Sequence, residues 1–64
     1  MSLTPKEMAT LLERNGFVKI RQKGSHAIYK NYNTRRQVTV PMHGRDLPKG
    51  LEKAIKKQAG ILEE

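Results

Sequence analysis

The chain has 64 residues, which is enough for one small domain with a single thin core, and we expect residues 1–64 to form that domain. It has no cysteine, which excludes disulfides and thiolate zinc sites, and no apolar stretch long enough to span a membrane. We therefore expect a soluble, cytoplasmic monomer. Thirteen Lys and Arg against six Asp and Glu give a net charge of +7, which favours a polyanionic partner such as nucleic acid.

The first predicted element is a helix over residues 3–16, and both of its ends are marked in the sequence. Thr4 and Glu7 have the spacing of a capping box, and Pro5 suits the first helical position. Gly16 is suited to a left-handed stop after the last turn. The apolar stripe at helical spacing consists of Met8, Leu11 and Leu12.

Three strands are predicted next, joined by short turns into an antiparallel meander. They cover residues 17–22, 26–31 and 37–40. The first strand alternates, with Val18 and Ile20 on one side and Lys19 and Arg21 on the other, so we expect it to be half-buried.

The last predicted element is a helix over residues 48–58, with Gly60 as its C-terminal cap. Its expected apolar face is made of Leu51, Ala54, Ile55, Ala59 and Leu62. The order α-β-β-β-α predicts an α+β fold, a three-stranded antiparallel sheet with two helices on one face. The other sheet face is then left for solvent or a ligand.

Three short motifs in this order resemble one known family. They are Gly24-Ser25-His26 on the second strand, Val40-Pro41-x-His43-Gly44 after the third, and Ile55-x-x-Gln58-Ala59-Gly60 near the end. Over residues 3–61 the chain is similar to the HicA toxins, small ribonucleases with a double-stranded-RNA-binding-like fold. The resemblance implies an mRNA-cleaving toxin (an mRNA interferase) silenced by a HicB-type antitoxin, with His26 as the catalytic residue.

The residues around His26 suit RNA cleavage without a metal. That reaction needs a base for the 2′-hydroxyl proton, an acid for the leaving 5′-oxygen and cations for the phosphorane. An imidazole can take either proton role near neutral pH. Lys23 and Lys30 are candidates to hold phosphate oxygens, and Ser25 can donate a hydrogen bond to phosphate. Gly24 lets the turn close tightly and the RNA backbone approach.

The remaining candidates are less specific. Tyr32, Arg35 and Arg36 are further candidates for RNA binding, with Tyr32 suited to stack on a base. His43 is either the second acid or base or a residue that orders its loop. The carboxylates are scattered along the chain, so we expect no metal and no cofactor. His26 shares strand parity with Ile28, which suggests that it lies on the core-facing side.

Two functions remain open at this point. The first is a ribonuclease toxin that depends on His26, with an acidic HicB-type antitoxin covering the His26 region. The second is a non-catalytic RNA-binding module of double-stranded-RNA-binding-like fold. Such modules usually carry a basic cluster where the final helix opens, whereas this helix has only Lys49 there. Binding alone also gives no reason for the Gly24-Ser25-His26 motif, so we favour the enzyme.

Overall fold

A computed structural model of the chain describes residues 2–61. The elements are α1 (Pro5–Arg14), β1 (Val18–Lys23), β2 (His26–Asn31), β3 (Arg36–Pro41) and α2 (Lys49–Ala59). The strands form one antiparallel sheet in the order β1-β2-β3. The α-β-β-β-α order and the α+β class are therefore confirmed. Each helix begins slightly later than predicted.

The predicted caps of α1 are present. The Glu7 backbone N–H donates to Thr4 Oγ1 (3.1 Å), and the Thr4 N–H donates to Glu7 Oε1 (2.9 Å), which completes the capping box. Pro5 occupies the first turn, and Gly16 follows the helix with φ of +90°. These local signals fix where α1 begins and where the chain turns back into β1.

Both helices pack on one face of the sheet, mainly against β3. The core is a single cluster made of Met8, Ala9, Leu12, Phe17, Ala27, Tyr29, Val38, Val40, Leu47, Ile55 and Ala59. Along β2 and β3 these residues alternate with exposed or half-buried ones, as a sheet covered on one face requires. The molecule is only 16 Å thick in its shortest dimension, which corresponds to one helix layer on one sheet layer.

The first strand departs from the expected pattern. All six residues of β1 are exposed, including Val18 (48% exposed) and Ile20 (41%). The prediction of a half-buried strand is wrong for two physical reasons. The helices cover β2 and β3 rather than the β1 edge. In addition, a β-bulge between Lys19 and Arg21 breaks the alternation of side chains.

The buried face of α2 also differs from the prediction. Ile55 and Ala59 are buried as expected, but Leu51 and Ala54 are exposed, and Glu52 takes the expected apolar place. Leu62 lies outside the described residues. Gly60 ends the helix with a left-handed φ of +76°.

Glu52 is buried because it satisfies a backbone donor and a cation. Its Oε1 accepts from the Leu3 backbone N–H (2.7 Å), and its Oε2 lies 3.3 Å from Lys56 Nζ. The Leu3 hydrogen bond and Lys56 lower the pKa of the Glu52 carboxyl, against an opposing effect of burial. The Leu3 carbonyl in turn accepts from the Leu47 N–H (2.7 Å), so this carboxylate ties the N-terminal segment to the start of α2 and to the loop before it.

Candidate nucleic-acid interface and catalytic site

The sheet face opposite the helices, which we call the open face, carries His26. Directly paired residues of an antiparallel sheet point to the same side, so the register defines this face. It consists of three rows, Lys23–His26–Pro41, Arg21–Ile28–Thr39 and Val18–Lys30–Gln37. His26 and Ile28 point to the same side of the sheet, as predicted. That side is the open face, however, and not the core-facing side that we expected. The core-facing residues of β2 are Ala27, Tyr29 and Asn31, and His26 is exposed on the opposite side.

The β1 bulge decides which cations share a face with His26. Lys19 pairs with Tyr29, so it lies on the helix side of the sheet, where its Nζ contacts Gln22 Oε1 at 2.9 Å. Ile20 is the extra residue of the bulge. Beyond it the register shifts by one, and Arg21 and Lys23 lie on the open face. Strict alternation from Val18 would have placed both on the helix side.

A tight turn presents His26 at one end of the sheet. Lys23 pairs with His26 across a two-residue connection, Gly24-Ser25. Gly24 has φ of +60°. Ser25 does not have a positive φ, because Arg35 is the only non-glycine residue among those described that does. This combination fits a type II′ turn with glycine at the first central position. A Cβ on Gly24 would meet no atom within 4 Å, so the space beside the turn is open.

His43 lies at the same end of the sheet as His26. The Met42 backbone N–H donates to the Ser25 carbonyl, which places the start of the loop after β3 beside the β1–β2 turn. His43 is the next residue and is exposed. Within residues 2–61 neither imidazole has a hydrogen-bond partner, so the expected ordering of the loop by the His43 ring has no support in this geometry.

The sheet region is uniformly basic. Residues 14–45 contain eight Lys and Arg and no Asp or Glu. The open face therefore has no carboxylate to offset Arg21, Lys23 and Lys30. Across the described part of the chain, no group of three His, Asp or Glu is arranged to hold a metal ion. The expectation that the chemistry needs no metal stays a prediction.

The opposite end of β2 holds the exposed aromatic ring of the sheet. Tyr32 is 65% exposed, and Lys30 Nζ lies 5.0 Å from the centre of its ring. Lys30 is on the open face, so this contact places Tyr32 at the border of that face. Tyr29, by contrast, is buried. Burial, with a smaller effect of Glu13, raises the pKa of the Tyr29 hydroxyl.

Asn31 builds the turn that carries Tyr32 and Arg35. Its Oδ1 accepts from the backbone N–H groups of Asn33 (2.8 Å) and Thr34 (3.1 Å), and its Nδ2 donates to the Asn15 carbonyl. The Arg35 N–H donates to the Asn31 carbonyl (2.7 Å), and Arg35 adopts φ of +65°, which is strained for a residue with a side chain.

Arg36 lies apart from the other candidates. It has the strand parity of Val38, which places it on the helix side, and its Nη1 donates to the Gln58 carbonyl at the end of α2 (3.1 Å). The structure thus brings Lys23, His26 and the loop of His43 together at one end of the sheet. Arg21 also lies on the open face, which the sequence does not predict because no pattern in the residues marks the bulge.

A small basic α+β domain with an exposed histidine on a helix-free sheet face is compatible with RNA-directed chemistry. A search among curated proteins found no match. The family model described as HicA toxin of bacterial toxin–antitoxin systems matches residues 5–61. The chain therefore belongs to the HicA toxin family. It is a toxin, and membership of a toxin–antitoxin system implies an antitoxin partner. In the described residues no helix is long and apolar enough to cross a membrane.

Proposed function

We propose that this toxin is an endoribonuclease that cuts mRNA in the cytoplasm by metal-independent acid/base catalysis at His26, and that a HicB-type antitoxin neutralises it. The observation that carries the proposal is the position of His26. The imidazole is exposed on the open face, at the end of a strand, with Lys23 directly opposite and no carboxylate on the same face.

The proposed reaction uses the 2′-hydroxyl of the RNA as the nucleophile. A base removes its proton, the 2′-oxygen bonds to the adjacent phosphorus, and the bond from phosphorus to the 5′-oxygen breaks as an acid protonates that oxygen. The products are a 2′,3′-cyclic phosphate and a 5′-hydroxyl. His26 supplies one of the two proton transfers, and both of its ring nitrogens are available because neither is engaged within residues 2–61.

The neighbours of His26 supply charge and access. Side chains of directly paired residues have Cβ atoms about 5 Å apart, which puts the Lys23 ammonium within reach of a phosphate whose ribose contacts His26. This cation stabilises the negative charge that builds on the phosphorane. Ser25 is half-buried in the same turn and can donate to a phosphate oxygen. The open space beside Gly24 admits the RNA backbone.

His43 is the candidate for the second proton transfer. Its loop is bonded to Ser25 through Met42, and its ring is exposed with no partner in the described chain. We propose His43 as an auxiliary acid or base, with His26 as the principal group. An enzyme with one dominant proton-transfer group turns over slowly, which a toxin tolerates because few cuts inactivate a message.

The antitoxin is proposed to cover the His26 end of the sheet. An acidic surface complements the basic open face and is drawn to it electrostatically. In the complex, His26 should be protected from an imidazole-modifying reagent, and RNA cleavage should stop. Equal modification of His26 in the free toxin and in the complex would contradict this arrangement.

The test of the function is cleavage of a long RNA in EDTA by the parent protein and by His26→Ala. We expect the parent to yield fragments that end in a 2′,3′-cyclic phosphate. We expect the variant, with an unchanged fold by circular dichroism and an unchanged RNA affinity, to cleave the RNA at least about 100-fold more slowly. RNA binding by both proteins without His26-dependent cleavage would favour the non-catalytic RNA-binding module instead.

A further inference from the structure

We propose that the open face is a binding platform for single-stranded RNA, which runs along β2 from His26 to Tyr32, and that Arg21 is a phosphate-binding residue of this platform. The inference rests on the proposed RNA cleavage and adds to it the conformation of the substrate and its path on the protein.

The charge of the open face favours a nucleic-acid backbone. Its three rows contain Arg21, Lys23 and Lys30, in addition to His26, and no acidic residue. The cations are spread over all three rows rather than clustered at one end. A chain of phosphates that crosses the face would therefore meet a cation at each row, and each contact would release counterions.

The uncharged part of the face favours a single strand over a duplex. Val18 is 48% exposed, Ile28 is half-buried, and Tyr32 is 65% exposed at the border of the face. Apolar and aromatic groups bind nucleobases by stacking and contact, which requires bases that are not paired inside a helix. A duplex presents phosphates and grooves, and it would leave these side chains without a partner.

Tyr32 lies in a position suited to stacking. The Lys30 ammonium lies 5.0 Å from the ring centre, beside the open face, and most of the Tyr32 side chain is exposed. Asn31 fixes the turn beneath it through hydrogen bonds to Asn33 and Thr34. β2 is about 17 Å long from His26 to Asn31, and Tyr32 follows Asn31, so a base stacked on Tyr32 would be anchored at the opposite end of β2 from His26. The strand would therefore be held at two points, with the scissile bond at the His26 end.

The β1 bulge provides a matched pair of variants. Arg21 and Lys19 lie two residues apart on the same exposed strand, but the bulge places Arg21 on the open face and Lys19 on the helix side. Arg21→Gln and Lys19→Gln each remove one positive charge from β1. A general effect of net charge would change both variants alike, whereas a specific contact changes only Arg21→Gln.

The experiment measures the affinity of the intact chain for a single-stranded RNA of about 12 nucleotides with 2′-O-methyl groups, which cannot be cleaved, and for a duplex of the same sequence. We expect tighter binding of the single strand, a loss of at least fivefold in Arg21→Gln and in Tyr32→Ala, and near-parental binding in Lys19→Gln and Tyr32→Phe. The slope of log affinity against log salt should fall by about 0.7 in Arg21→Gln, which corresponds to one lost phosphate contact on a single strand.

The outcomes separate this inference from the proposed function. Equal or tighter binding of the duplex overturns the inference, as does parental single-strand affinity in Arg21→Gln and Tyr32→Ala. Cleavage of unmodified RNA by the parent would leave the proposed function standing in either case. Absence of both binding and cleavage would overturn the two together.

Discussion

At the scale of single residues, Arg35 has a strained backbone conformation and Glu52 is a buried charge. Arg35 is the described non-glycine residue with a left-handed φ, at +65°, and this conformation costs about 1 kcal/mol. It lies in the turn after β2, where its backbone N–H closes the loop onto the Asn31 carbonyl. Strain retained at an exposed arginine is a reason to seek a function for its side chain.

Two substitutions of Arg35 should therefore differ in stability but have the same effect on RNA binding. We expect Arg35→Gly to raise the free energy of unfolding by about 0.5 kcal/mol, because relief of the strain exceeds the added freedom of the unfolded chain. Arg35→Ala removes the same charge but keeps the strain, so its stability should match the parent. Urea unfolding measures both, and RNA affinity should fall equally in the two variants. A parental affinity in both would remove Arg35 from the candidate RNA contacts.

Glu52 should make stability depend on pH in the acid range. Its pKa is lower in the folded state than in the unfolded chain, so its contribution is complete above the ordinary value of 4.5 and is lost as the pH falls through the lower folded value. Glu52→Gln keeps an acceptor for the Leu3 N–H but removes the charge. We expect it to cost about 1 kcal/mol at pH 7 and to flatten the loss of stability below pH 4.5. Denaturant titrations at several pH values would measure this, and parental acid sensitivity in the variant would contradict it.

At the scale of elements, features set by neighbouring residues could be predicted from the sequence, whereas features set by tertiary packing could not. The capping box of Thr4 and Glu7, the stop at Gly16 and the exact span of β2 follow from residue chemistry within a few positions. The burial of Glu52 in place of Leu51 depends on the Leu3 N–H, a partner 49 residues away in the sequence. No local pattern contains that information.

The β1 bulge is the element-scale feature that matters most for the site. Alternation in VKIRQK predicts a continuous strand with Lys19 and Arg21 on the same side, whereas the bulge at Ile20 separates them. Bulges depend on how a strand pairs with its neighbour, so the strand's own sequence does not show them. The position of His26 at the start of β2 was predicted correctly, but which face lacked helices depended on packing.

The β1–β2 turn offers a test of backbone conformation. Gly24 has φ of +60°, whereas Gly50, in the first turn of α2, has ordinary φ, and neither site would place a new Cβ within 4 Å of another atom. We expect Gly24→Ala to destabilise the protein by about 1 kcal/mol and to slow RNA cleavage, because the turn that presents His26 must distort. Gly50→Ala should be neutral or stabilising by up to about 1 kcal/mol. Thermal unfolding and cleavage rates would test both. Equal effects of the two substitutions would show that the turn conformation is not required.

At the scale of the whole molecule, the two faces of the sheet differ, because the helices cover only one of them. The helices and one sheet face make the core, and Glu52 and Arg36 help to hold the helices in place through Leu3 and Gln58. No helix packs on the open face. It carries Arg21, Lys23, Lys30 and His26, and Tyr32 lies at its border. In a chain of 64 residues with a net charge of +7, this open face is the surface on which we propose that both the RNA and the antitoxin bind.

The role proposed for His26 is that of the principal proton-transfer group in an RNA-cleaving toxin. Its most direct test is the single-turnover rate of RNA cleavage in EDTA by the parent, His26→Ala and His43→Ala, each first shown to be folded. We predict a loss of about 10²- to 10⁴-fold in His26→Ala, typical of the removal of a general acid or base, and a smaller loss in His43→Ala. Cleavage by His26→Ala at the parental rate would contradict the assignment.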